Sequence, residues 1–332
     1  MIADTPHDLG SSATPLHPGV SVVVPVFNSA ETLAALVMAL SETLDETGRA
    51  FEILLVDDGS SDDGWDRICD LVVMNREVRG VQLSRNFGQH NATLCGVRLA
   101  RFDVCVTLDD DLQHPPREIP KLLAKIDEGW DVVYGRAKRP QHHWLRDRLA
   151  ALTKSAIGMT SGLTRVADQS PFRAFKTELR EAFSAYMGPD VLLDILLGWA
   201  TTRFSSVRVD HQPLAGGRRS RYTVRRLFDM GILGLTAYST RPLRFASWLG
   251  FSLTIFGMVI LAYVVVLALF VGSVPGFPFL ASLISIFSGT QLFVLGLFGE
   301  YLSRTFNRAL GRPTYVIREV HEPDVLAKSL HG

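Results

Sequence analysis

From Phe245 to Ser303 the chain carries one charged side chain, Glu300. No surface of a soluble domain is built from such a stretch. Phe245–Val271 is uncharged, and Phe279–Leu302 is uncharged up to Glu300; both are rich in Phe, Leu, Ile and Val. At ~1.5 Å per residue, either run can cross a ~30 Å hydrocarbon core with some tilt. Between them, Gly272–Pro278 holds Pro275 and Pro278, which stop a helix. Arg241 and Arg244 precede the runs, Arg304, Arg308 and Arg312 follow them, and the connecting turn has no Lys or Arg. That asymmetry puts both ends in the cytoplasm. The expectation is a two-helix transmembrane hairpin, about 245–271 and 279–302. The competing arrangement, a helical hairpin buried in a soluble protein, does not call for so complete an exclusion of charge. Glu300, a turn from the end of the second run, is placed to pair with a flanking arginine.

The remainder reads as a soluble domain. Over all 332 residues the chain has 34 basic and 34 acidic side chains and 47% hydrophobic residues. That excludes a disordered chain, a collagen-like chain and a disulfide scaffold. The balance hides a split. Residues 1–135 hold 10 basic and 22 acidic side chains, whereas 136–180 hold 10 and 3, and 203–244 hold 9 and 2. An acidic first half suggests a metal or nucleotide-sugar site. Two basic segments beside a membrane suit anionic lipid headgroups, with plain solvated faces as the alternative. Cys69, Cys95 and Cys105 form no zinc-like spacing and fit a reduced, cytoplasmic domain. Residues 1–19, with Pro6, Pro15, Pro18 and no Lys or Arg, read as a flexible tail and not as a signal peptide.

Strand-like and helical runs alternate through the first half. Val20–Phe27, Phe51–Val56, Val81–Ser84, Val104–Leu108 and Asp131–Tyr134 read as strands. Glu31–Glu46, Asp62–Glu77, His90–Arg101 and Pro116–Glu128 carry helical spacing. Nearly continuous apolar strands between helices imply a mostly parallel α/β sheet covered on both faces. Ligands then bind at the carboxyl ends of the strands, where Asp57-Asp58 and Asp109-Asp110-Asp111 fall. No GxGxxG follows the first strand and no GxxxxGK[ST] occurs. The two common phosphate-cradling loops are therefore missing, and a metal held by carboxylates is the natural substitute.

Four motifs appear in order: Pro25-Val-Phe-Asn28, Val56-Asp-Asp-Gly-Ser60, Arg85-Asn-Phe-Gly88 and Leu108-Asp-Asp-Asp-Leu-Gln113. They resemble the inverting family 2 glycosyltransferases of GT-A fold. Asn86-Phe-Gly-Gln-His90, Thr107 to Pro116, Ser220-Arg-Tyr222 and the hairpin narrow the resemblance to polyprenyl-phosphate glycosyltransferases. These include dolichyl-phosphate mannose synthases and undecaprenyl-phosphate glucosyltransferases. Among bacterial relatives the chain looks most like undecaprenyl-phosphate 4-deoxy-4-formamido-L-arabinose transferases, over about residues 20–318.

In an extended segment, positions two apart point the same way. Asp109 and Asp111, with Gln113 two further on, can so present hard oxygens to Mg²⁺ or Mn²⁺. The resemblance assigns the same three residues to the metal. Asp110 stands where the family commonly has Ala and is placed with the donor nucleotide. Through the resemblance, Pro25, Phe27, Val56, Asp57, Asp58 and Asn86 also line the nucleotide site, with Asp58 accepting a hydrogen bond from base or ribose. Asp168-Gln-Ser-Pro-Phe-Arg173 resembles the family's D-x-G-x-F-R, with Ser170 at the glycine. Asp168 is the candidate catalytic carboxylate. A polyprenyl phosphate is already anionic near neutral pH, so Asp168 positions substrate as readily as it removes a proton. Arg146 and Arg148 lie on an amphipathic segment, about 142–160, and a second covers about 222–240. Both suit the membrane interface, core packing being the alternative. With Arg173, Ser220 and Arg221, these arginines are the candidates for the acceptor phosphate and lipid. Arg221 replaces the family's Lys and keeps the charge. His90 and His114 read as structural.

The whole implies a tail (1–19), a GT-A domain (20–240), the hairpin (245–302) and a C-terminal tail (303–332). The expected enzyme sits in the cytoplasmic membrane with its catalytic domain in the cytoplasm. It inverts a single sugar from a nucleotide diphosphate donor, UDP-linked by resemblance, onto undecaprenyl or another polyprenyl phosphate for cell-envelope glycans. The resemblance also implies a homo-oligomer, a tetramer, and no nucleic-acid partner is expected. The rivals are a processive polysaccharide synthase, which normally carries Q-x-x-R-W and more spans, and a non-catalytic scaffold.

Overall fold

The computed structural model describes residues 16–137, 170–188, 191–210, 241–270 and 276–323. The valine-rich run at the start forms β1 (His17–Val26), followed by α1 (Ala30–Asp45), β2 (Phe51–Asp57), α2 (Gly64–Met74) and β3 (Val78–Leu83). Then come α3 (Gln89–Leu99), β4 (Phe102–Thr107), a 3₁₀ turn at Pro116–Glu118, α4 (Ile119–Asp127) and β5 (Val132–Ala137). Every strand and helix expected from the first half is present, with ends moved by a few residues.

Further pieces, closing with an edge strand, complete the domain. β6 (Arg173–Lys176) runs into a 3₁₀ segment at Thr177–Phe183, and α5 (Leu193–Ala200) leads to β7 (Phe204–Val209). After the long helices α6 (Arg241–Phe270) and α7 (Phe277–Ala309) the chain returns as β8 (Ile317–His321). The sheet order is β7-β5-β6-β4-β1-β2-β3-β8. Strands β1 to β5 and β7 run one way; β6 opposes β4 and β5, and β8 opposes β3.

Alternation along each strand divides the core in two. Val20, Val22, Val24 and Val26 face α1, α2 and α4 together with Ile53 and Leu55. Val23, Leu54 and Val56 face α3, α5 and the 3₁₀ segment. Gly96 lets α3 lie on β1, since a Cβ there would run into Val23.

Residues 317–321, expected within a tail, are an edge strand of this sheet. Glu322 just beyond it binds Arg79 at 2.9 Å and Arg101 at 2.8 Å, and Arg79 also binds Glu52 at 2.7 Å. Thr314 Oγ1 donates to the carbonyl of Gly188 at 3.2 Å. The end of α7 is thereby tied directly to the catalytic sheet.

Phe287 of α7 packs against Gly257 of α6. Many of their described side chains, among them Phe245, Trp248, Tyr263 and Phe298, are exposed. Among the described residues, no helix is long and apolar enough to cross a membrane. Both helices include side chains outside that set.

Candidate active site

Because β1 to β4 are parallel, their carboxyl ends open on one rim, and antiparallel β6 brings its first residue, Arg173, to the same rim. The loops there are knitted by side chains. Asn28 has a positive φ of 54°; its backbone N–H donates to Ser60 Oγ at 3.0 Å, and its Oδ1 accepts from the Ser61 N–H at 2.8 Å. Asp57 Oδ1 accepts from the Ser60 N–H at 3.1 Å. Its Oδ2 is buried with no hydrogen-bond partner among the described residues. At Gly59, φ is +69°, and a Cβ would lie 2.7 Å from the backbone of Arg85 and Asn86. The Asp-Gly-Ser turn therefore needs glycine because the β3–α3 loop rests on it.

Asp58 spends both oxygens on that loop, accepting from the N–H of Phe87 at 2.7 Å and of Gly88 at 2.8 Å. Burial pushes its pKa up to about 6 against the pull of these two bonds. Asp58, expected to accept from base or ribose, here clamps the β3–α3 loop. Val56 points into the α3-side core and is fully buried, so its side chain does not face the rim. Pro25 is buried in β1, Phe27 is exposed at the strand end, and Asn86 is exposed.

The acidic triple follows β4 in a turn, not in extended backbone. Its grouping does not come from strand alternation, as the spacing suggested. Gln89 Nε2 donates to Asp109 Oδ1, and the Gln113 N–H donates to Asp111 Oδ1 at 3.0 Å. Asp110 reaches back instead: Oδ2 accepts from the Phe27 N–H at 3.2 Å, and its carbonyl accepts from Thr32 Oγ1 at 3.0 Å. Asp110 thus closes the β1–α1 loop. Burial, then Asp111 and Asp110 beside it, raise the Asp109 pKa to about 7. Among the described residues no three His, Cys, Asp or Glu side chains form a ready metal cluster. Asp109 and Asp111 each keep one oxygen outside the described hydrogen bonds, and with the Gln113 amide they offer hard oxygen donors. Crowded carboxylates whose repulsion a cation would relieve fit such a group.

Arg173 was expected at the acceptor phosphate. Its side chain is 4% exposed and paired through Nη1 with Asp194 Oδ1. Tyr134 OH donates to the same oxygen at 2.8 Å. Asp194 and Tyr134 carry no local sequence signal; Asn28 and Gln89 sit inside quoted motifs but were not singled out. Asp168, Arg146, Arg148, Ser220 and Arg221 lie outside the described residues. His114 is buried and stacks on Phe172 at 5.3 Å.

Residues 21–185 match the family model described as "Glycosyl transferase family 2". Undecaprenyl-phosphate 4-deoxy-4-formamido-L-arabinose transferase from Enterobacter sp. (strain 638) is 34% identical over 305 residues, 91% of this chain and 93% of the relative. The chain belongs to glycosyl transferase family 2. A solved structure of glucosyl-3-phosphoglycerate synthase from Mycobacterium tuberculosis superposes with a TM-score of 0.51 at 18% identity, covering 67% of this chain and 80% of that one. That likeness is one of fold, and it agrees with the GT-A-like sheet of this glycosyltransferase. Membership fits the geometry: the motif residues quoted above, Asn28, Asp57, Asp58, Gly59 and Asp110 among them, knit the carboxyl rim of the glycosyltransferase.

Proposed function

We propose that the protein transfers one sugar from a nucleotide diphosphate donor, UDP-linked, to a polyprenyl phosphate, undecaprenyl phosphate by similarity. The observation that carries this is the 34% identity across 91% of the chain to a relative named as an undecaprenyl-phosphate sugar transferase. The acidic turn after β4 supports a donor site there. Asp109, Asp111 and Gln113 would hold Mg²⁺ or Mn²⁺. Such an ion, when bound, neutralises the diphosphate and the charge that builds on the leaving group. The chain's own residues do the rest. Asp58 holds the β3–α3 loop, and Asp110 and Asn28 hold the β1–α1 loop, so that the nucleotide meets a preformed cleft. The lipid phosphate, already anionic, attacks the anomeric carbon in line and inverts it. Asp168 orients the reacting groups, and Arg146, Arg148, Ser220 and Arg221 draw the lipid phosphate in.

In this reading α6 and α7 form a hairpin through the cytoplasmic membrane with the catalytic domain on the cytoplasmic side. α6 has 30 residues and α7 has 33. At ~1.5 Å per residue each exceeds a ~30 Å hydrocarbon core. Their exposed Phe, Trp, Leu and Ile side chains and the nearly uncharged sequence support that assignment.

The test is a screen of nucleotide sugars with undecaprenyl phosphate in detergent, reading the mass of the lipid product. One added sugar with release of UDP is the expected result. A growing glycan would favour a polysaccharide synthase, and no product with any donor would favour a scaffold.

A further inference from the structure

Among the described residues, the Arg173–Asp194 pair is a buried charge pair beside the acidic turn that the proposed function leaves unused. Arg173 lies across from Thr107 on β4, two residues before Asp109, and across from Tyr134 on β5. That register sets Arg173 beside the strand end that leads into the acidic turn, and its guanidinium acts on the Asp109 carboxyl, pulling its pKa down against the larger effects that raise it. Its Nε is buried without a partner among the described residues. A cation in that position has two carboxylates within its field. Asp194, in the first turn of α5, holds it through Oδ1, and Tyr134 OH steadies the same oxygen. Asp109 is held by Gln89 instead.

We propose that Asp194 is a positioning residue that tethers the Arg173 guanidinium away from Asp109, leaving the Asp109 carboxylate available to a divalent cation. Without the tether, Arg173 is a buried charge that has lost its ion-pair partner, and Asp109, just beyond the strand end it faces, is an anion it can turn to. An Arg–Asp109 pair would compete directly with the cation. The inference rests on the metal role given to Asp109 above.

The test is Mn²⁺ binding to the full-length detergent-solubilised protein in the presence of UDP, followed by electron paramagnetic resonance. Asp194→Asn is expected to weaken binding by about tenfold or more, the scale of one charge-assisted contact. Asp194→Asn combined with Arg173→Met removes the competitor and is expected to recover most of the loss. Tyr134→Phe is the milder variant and is expected to weaken binding by a few-fold; it keeps the question answerable if Asp194→Asn does not fold by circular dichroism. A purely structural pair would lower the melting temperature in both single variants and leave Mn²⁺ affinity in place. Unchanged affinity in folded Asp194→Asn, or in Tyr134→Phe where only that variant folds, overturns the proposal. So does a double variant no better than Asp194→Asn alone. If the wild type itself binds no Mn²⁺ with UDP, the metal role of Asp109 fails, which is a distinct result.

Discussion

Single carboxylates at the carboxyl rim do different work although they are neighbours in sequence. Asp109 and Asp111 keep an oxygen each, Asp110 closes a loop, and Asp58 clamps one. Asp109→Asn or Asp111→Asn should abolish turnover while leaving the circular dichroism spectrum unchanged, and EDTA should do so reversibly. Full activity of both variants in metal-free buffer would contradict the metal role. Asp58 offers a second test. Its pKa in the folded protein is about 6, above the ordinary 3.8, because burial outweighs the two backbone bonds. The folded form therefore holds a proton that the unfolded chain has already lost. The stability linked to that proton is complete below 3.8 and is lost as pH rises through about 6. A carbon-13 titration of the Asp58 carboxyl should show a midpoint near 6; an ordinary midpoint would remove the argument. The doubled aspartate was legible in the sequence, but the division of labour was not. Which oxygen meets which N–H depends on loops from three strands, and no local pattern encodes that.

Elements were legible where apolar periodicity is strong. β1, β2 and β4 are runs of buried Val, Ile and Leu, and α1 has its apolar positions at helical spacing. β6 has four residues and begins with Arg173, while β7 and β8 have mostly half-buried or exposed side chains. Their strand character comes from distant partners, so a single sequence conceals them. Turn chemistry is the exception. Gly59 was quoted within a motif, and the structure supplies the reason: positive φ and a neighbouring backbone where a Cβ would stand. Gly59→Ala should cost about 1–3 kcal/mol and shift the β3–α3 loop. Urea unfolding measures the first, and a raised KM for the donor with little change for the acceptor measures the second. β8 makes a separate prediction through Glu322. Burial would raise its pKa, but Arg79 and Arg101 beside it hold the carboxyl below the ordinary 4.5. Its contribution is present above 4.5 and fades as pH falls through the lower folded value. Glu322→Gln should lower the melting temperature at pH 7 and have little effect in acid; equal effects at both would show that the ion pairs contribute nothing.

At the scale of the whole molecule, the chain leaves the sheet after β7, forms two long helices with many exposed apolar side chains and returns to the same sheet as β8. Whatever holds α6 and α7 therefore also anchors the edge of the catalytic domain, through Thr314 and the Arg79–Glu322–Arg101 pairs. A hairpin through the membrane satisfies this topology, because both feet emerge on the side where the sheet lies. One span would strand β8 on the opposite side from β3 and leave that edge of the sheet unpaired; a hairpin lying on the surface would leave apolar side chains on one side in water. The basic residues on either side of the hairpin, and none in Gly272–Pro278, set the expected orientation. A single cysteine introduced at Ser273 should react with a membrane-impermeant maleimide added outside intact spheroplasts. One introduced at Lys328, beyond β8, should react only after the membrane is opened. Alkaline carbonate should leave the protein in the membrane pellet, since removing apolar helices from a bilayer is not an electrostatic matter. Labelling of both positions from the same side, or release by salt alone, would mean that α6 and α7 do not cross, and the link from membrane to β8 would then have to be a peripheral one.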